Sequence, residues 1–229
     1  MSLDVYVMPL WRFKVGDFRS PIEASIGIRP KIVSGGGVGT RPAAAGWVER
    51  WRARREVAAV RKAVEAENGV RVRWNDEGEA VYAQQGHGLL ALQVFAMWLH
   101  CRDRFPVFEP PANGDYAKHP VVTSDLGRLS CPHLVRHGLM SGYYLPGEFE
   151  KITQVEPYMI FGRWPATRPV GSSPRLLREL DFVQSELQAP ADYKYSADDP
   201  RAAVKQAYLQ LREAATLSCA HQLPIIFCG

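Results

Sequence analysis

The chain has 229 residues, 46% of them hydrophobic and 23% charged, with 28 lysines and arginines against 24 acids for a net charge of +4. A chain of this length can bury about 70% of the surface its unfolded form exposes, so it needs neither disulfides nor a metal to build a core, and its composition argues against long disorder. The mild charge excludes a strongly basic nucleic-acid-binding chain as a class, and cationic residues cluster only at 49–73, where eight stand beside four glutamates.

Leu3 to Leu10 alternates as a first strand. The N-terminus, Met1 to Val7, carries an acid, Asp4, where an export signal would carry basic residues, and no long apolar run precedes Trp11, so no cleaved export signal is expected. Residues 13–41 read as a long connection with a short strand at Ser25–Ile32. It ends in a glycine run, Ser34 to Gly39, that lacks both the Gly-Lys-Ser/Thr ending of a phosphate loop and the dinucleotide spacing, and so reads as a flexible loop.

Ala43 to Asn68 has helical periodicity and stops at Gly69. Trp47, Trp51 and Ala58 fall on one side of Arg50, Arg54 and Arg61, and Val57, Val60 and Val64 on the other. The simplest reading is a solvated amphipathic helix whose cations are balanced at i,i+4, as in Arg52–Glu56 and Arg61–Glu65; an Arg/Trp interface is the alternative.

Val70–Trp74 and Glu79–Ala83 flank Asn75-Asp76-Glu77-Gly78 as a hairpin. Gly86 to Arg102 gives a buried helix, too short and too soon charged to span a bilayer. A loop over Phe105–Lys118 follows, then a helical piece at Cys131–Leu139 and strands at Ser141–Leu145 and Pro157–Arg163. Ser172 or Ser173 caps a helix with Pro174 in its first turn and a stripe of Leu176, Leu180, Val183 and Leu187. A last helix, Pro200–Ala220, carries Val204, Tyr208, Leu211 and Ala215 at the same spacing, and Pro224–Cys228 is a final strand. The expected fold is a single α+β domain over 1–229, compact and helix-rich, with a small, mostly antiparallel sheet.

Unusual local chemistry concentrates in 119–187. Cys131, His133 and His137 have the one metal-like spacing, since histidines four apart share a helix face, but no glutamate follows His133 to act as a base. Cys131 with either histidine, or Cys219 with His221, lacks the glycine context of an oxyanion site, and no Gly-x-Ser-x-Gly elbow exists. No catalytic residue, metal or cofactor is assigned. The four cysteines have no regular spacing and read as reduced thiols, which places the chain in the cytoplasm.

Tyr143-Tyr144-Leu145-Pro146-Gly147-Glu148-Phe149 differs in kind. Adjacent tyrosines on a strand point to opposite faces, so one can enter the core while the other stays accessible. With Glu148, Arg163 and Trp164 they make the expected partner-binding set, because Tyr, Trp and Arg give large contact area and directional hydrogen bonds.

The opening Ser2 to Val7, the Ser141 to Phe149 block and the Val170 to Leu180 helix start resemble small bacterial cytosolic proteins, some of them similar to immunity proteins of polymorphic toxin systems. The resemblance implies a non-enzymatic module that binds another protein, such as a cognate toxin, with no membrane or nucleic-acid partner; the mild positive charge disfavours a nuclease target. The alternative is a small-molecule-binding protein or metal-assisted hydrolase with a pocket near 131–164.

Overall fold

The structure is a computed structural model that describes residues 3–18, 32–34, 37–39, 46–111, 113–126, 129–138, 141–155, 167–196 and 198–228. The first strand, β1 (Leu3–Val7), stops short of Leu10 because Pro9 opens a five-residue helix, α1 (Leu10–Lys14). Where a flexible loop was expected, β2 (Ile32–Ser34) pairs antiparallel with β3 (Gly37–Gly39), Val33 opposite Val38. The strand expected at Ser25–Ile32 lies outside the described residues apart from Ile32, which begins β2.

Helix α2 spans Trp47–Asn68 and ends at Gly69, whose φ of 66° is left-handed. It buries Ala53, Val57, Val60 and Val64, a stripe at helical spacing. The segment Val70–Trp74 is not a strand. Other partners hold the backbone here: Val72 N–H donates to Glu65 Oε1 at 3.0 Å and, just beyond the segment, Asn75 N–H donates to the Gln222 carbonyl at 2.6 Å. Val72 and Trp74 still bury their side chains. The strand expected at Glu79–Ala83 forms three residues later as β4 (Tyr82–Gly86), pairing with β1.

Helix α3 (Leu89–Leu99) starts from Gly88, at φ 67°, where a Cβ would stand 2.4 Å from the Ala203 carbonyl oxygen. Only glycine permits both that backbone angle and that contact. After two single 3-10 turns come α4 (Pro132–Arg136), β5 (Ser141–Leu145), β6 (Thr153–Val155) and β7 (Arg168–Ser172). The strand expected at Pro157–Arg163 lies outside the described residues. Helix α5 (Ser173–Leu187) takes Ser172 as its cap, the hydroxyl accepting from Arg175 N–H at 3.3 Å. Helix α6 (Ala202–His221) and β8 (Ile225–Cys228) complete the chain.

The main sheet runs β4-β1-β8-β5-β7-β6, antiparallel except for β5 beside β7. Both of its faces are covered. Val5, Val7, Tyr144, Ile225 and Phe227 point into a core with α3, α5 and α6. Their alternate neighbours Tyr6, Tyr143, Leu145 and Ile226 point into a second core with α2 and Trp11 of α1. Each fully buried Leu or Val in the stripes of α5 and α6 contributes about 1.5–3 kcal/mol. The domain is therefore α+β and helix-rich, with a mostly antiparallel sheet between two helical layers.

Candidate functional site

Cys131, His133 and His137 are all buried around α4, where their neighbours make a structural knot. Glu179, on α5, accepts from the backbone N–H of His133 at 2.9 Å and of Leu134 at 2.7 Å, supplying acceptors to the otherwise unpaired start of α4. At the other end of α4, the Gln93 amide donates to the carbonyls of Val135 at 2.7 Å and His137 at 2.9 Å. Tyr144 hydroxyl donates to the His133 carbonyl at 2.9 Å.

Three of the four ring nitrogens of His133 and His137 bond the backbone, and the fourth, His137 Nδ1, is buried without a hydrogen-bond partner. His133 Nδ1 accepts from Ser172 N–H at 3.0 Å and its Nε2 donates to the Glu150 carbonyl at 2.9 Å, which fixes one neutral tautomer. His137 Nε2 donates to the Tyr143 carbonyl at 3.0 Å, and its ring stacks on Tyr144 with centroids 4.0 Å apart. Gly171 lies against both rings: a Cβ there would meet Tyr144 Cδ1 at 2.6 Å and His133 Nδ1 at 3.2 Å.

Burial sets the ionisation of this knot. It holds His133 down to about 4 and His137 to about 3, and pushes Glu179 up to about 7 against the opposing pull of its two N–H donors. Burial, then the charge of Glu179, raises the Cys131 thiol to about 12, so it is not a ready nucleophile. Cys219 is likewise raised by burial. Among the described residues no three His, Cys, Asp or Glu side chains form a group that could hold a metal ion.

The expected partner-binding set is dispersed. Tyr143 and Tyr144 are 1% and 0% exposed, so neither ring is accessible, contrary to the one-in, one-out expectation. The reason is the second helical layer: α2 and α1 cover the face on which an open sheet would have left Tyr143 in water. Glu148 is exposed and sits between Arg175 at 2.7 Å and Arg178 at 2.5 Å, with the Arg178 hydrogen bond first among the causes that lower its pKa. Arg163 and Trp164 lie outside the described residues.

The surface has its own organisation, which local sequence reading missed. From 181 to 199, on the α5–α6 side of the sheet, five acids stand beside a single lysine, Glu179 just before them being buried. Asp181 pairs with Arg212 at 3.4 Å, Glu186 with Arg102 at 2.5 Å and Asp199 with Lys205 at 2.7 Å. Asp192 and Asp198 are exposed and have no ion pair among the described residues. Beside them runs an open groove of about 580 Å³ lined by Tyr193, Tyr195, Gln206, Gln210 and Glu213, among others. A run of charge counts along 181–199 would have found this acidic stretch; the groove had no sequence signal.

On the opposite side of the sheet the cationic stretch of α2 is less balanced than its spacing suggests. Glu56, expected to neutralise Arg52, bonds Lys14 at 2.7 Å instead. Arg61 pairs with Asp76 at 2.8 Å and lies over the Trp74 ring, while Glu65 is turned to Val72 N–H. The unpaired acids Asp192 and Asp198 and the cationic stretch of α2 thus lie on opposite sides of the sheet. No helix among the described residues is long and apolar enough to cross a membrane.

Comparison with known proteins finds no match among curated proteins and none among solved structures. A family model described as "Putative DNA-mimic protein" matches residues 1–227, nearly the whole chain, and the chain belongs to that family.

Proposed function

We propose that this chain is a non-enzymatic binding protein that occupies the DNA-binding surface of a partner protein, presenting the acidic α5–α6 side in place of a phosphate backbone. The observation that carries the reading is a local one: Asp192 and Asp198, between α5 and α6, are exposed with no ion pair among the described residues, on the side of the sheet away from the cationic helix. Overall charge argues against mimicry by the whole surface, so the mimicry is local, centred on Asp192 and Asp198, with Tyr195 63% exposed beside them. Family membership supports the same class of activity.

An acidic patch meeting a basic DNA-binding surface gains on-rate and specificity from complementary potential. A cytoplasmic immunity-type inhibitor is a narrower form of this proposal, resting on the resemblance at 2–7, 141–149 and 170–180; its toxin would then be one that binds DNA.

The test is capture of host proteins on the immobilised chain followed by elution with duplex DNA. Proteins released by DNA, and no longer captured by Asp192→Lys with Asp198→Lys, support the proposal. A captured set that DNA does not displace contradicts it.

A further inference from the structure

The first turns of α2 stand clear of the core. Residues 47–52 are all exposed, and the buried stripe begins only at Ala53. Trp47 is 79% exposed and Trp51 52%, four residues apart on one side of the helix, with the Arg55 guanidinium 4.8 Å over the Trp51 ring. Arg50, Arg52 and Arg55 have no ion pair among the described residues, and Arg54 has an exposed one with Glu77 at 2.8 Å.

Folding does not account for this arrangement. Cations in the first turns oppose the helix dipole, and the last turn of α2 has no basic residue to complement it. Glu49 offsets part of the conflict by accepting from Gly46 N–H at 2.8 Å. Two large indoles exposed side by side form an apolar patch of the kind that marks an interaction surface.

We infer that the head of α2, through Arg50, Arg52 and Arg55 with Trp47 and Trp51, binds single-stranded nucleic acid. The positive helix end and the arginines suit phosphates, and the exposed indoles suit unpaired bases, which every sequence can offer as flat faces. A duplex keeps its bases stacked inside, and an acidic peptide would satisfy the arginines while leaving both indoles in water. This surface lies on the α2 side of the sheet, separate from the acidic side assigned to a protein partner.

The experiment is fluorescence anisotropy of a labelled twenty-nucleotide oligo-dT titrated with the full chain from 50 to 200 mM salt. Binding should weaken with a log–log salt slope of about −2, as for three neutralised phosphates on a single strand. Trp47→Ala with Trp51→Ala should lower affinity at least about tenfold, and Arg50→Glu with Arg52→Glu should abolish binding at 200 mM. Circular dichroism checks that these exposed substitutions leave the fold intact. Asp192→Lys with Asp198→Lys should not weaken oligo-dT binding, so failure of the partner-binding proposal and failure of this one are distinguishable. No binding at 50 mM salt, equal affinity for a duplex, or equal competition by poly-glutamate would overturn the inference, the last in favour of an acidic protein partner.

Discussion

Glu179 reaches from α5 to the start of α4 and takes the His133 N–H at 2.9 Å, so a buried carboxyl ties one helix to the beginning of another. The same side chain holds Leu134 N–H at 2.7 Å. This contact explains why a metal-like trio of side chains is a folding device: the polar groups around α4 cap its ends and join it to β5 and α5.

Glu179→Ala leaves two buried amides without acceptors and should cost about 2–5 kcal/mol. Glu179→Gln keeps one acceptor oxygen and should cost roughly half as much. Urea unfolding checks both; an alanine variant as stable as the parent would show that water replaces the carboxyl, and the capping role would fail.

The knot also fixes a pH dependence. His133 and His137 are held below their ordinary 6.5 in the folded chain, so the stability they contribute is complete above pH 6.5 and falls as pH drops toward 4 and 3. Glu179 is raised from 4.5 to about 7 and acts oppositely, its contribution being present below pH 4.5 and lost as pH rises toward 7. Between pH 6.5 and 4.5 two histidines oppose one carboxyl, so stability should fall on acidification by about 1.4 kcal/mol per pH unit. His100, lowered by burial, acts in the histidines' direction. In Glu179→Gln the slope should steepen toward about 2.7 kcal/mol per unit. Unfolding free energies at pH 6.5, 5.5 and 4.5 decide it, and a flat profile would contradict the neutral-histidine assignment.

Tyr143 and Tyr144 separate core from interface. Truncating either to alanine should destabilise by about 3–5 kcal/mol, as for other large buried rings. Tyr144→Phe removes only the bond to the His133 carbonyl and should cost about 1 kcal/mol. If Tyr143→Ala left the melting temperature unchanged, the two-sided core would be wrong at that position.

Glu148, flanked by Arg175 and Arg178, is exposed on both sides of its ion pairs. Glu148→Gln should therefore change stability by less than about 1 kcal/mol. A larger loss in thermal melts would show that the triad is less hydrated than its exposure implies.

Elements with strong local signals were readable in advance. Ser172 with Pro174 and the stripe from Leu176 to Leu187 mark α5, and Ser141–Leu145 marks β5, because caps, period and turns all act within a few residues. Strand β7 was hidden by Pro169 and Gly171, which normally argue against a strand; here Gly171 is required by the close approach of Tyr144. The supposed strand at Val70–Trp74 misled because its alternating burial is real while its hydrogen bonds go to Glu65 and, just beyond it, Gln222. The arginine balance on α2 was misjudged for a tertiary reason: Glu56 finds Lys14, which is 42 positions away in sequence. Helical spacing gives the opportunity for a pair and does not show which partner wins.

Mimicry of DNA means competition with DNA for one surface of the partner. The most direct measurement takes a partner captured by the acidic side, binds it to a labelled duplex, and titrates in this protein while following anisotropy. Mimicry predicts a fall to the value of free duplex, lost with Asp192→Lys and Asp198→Lys. A rise, signalling a complex that holds partner, DNA and this chain together, would contradict it.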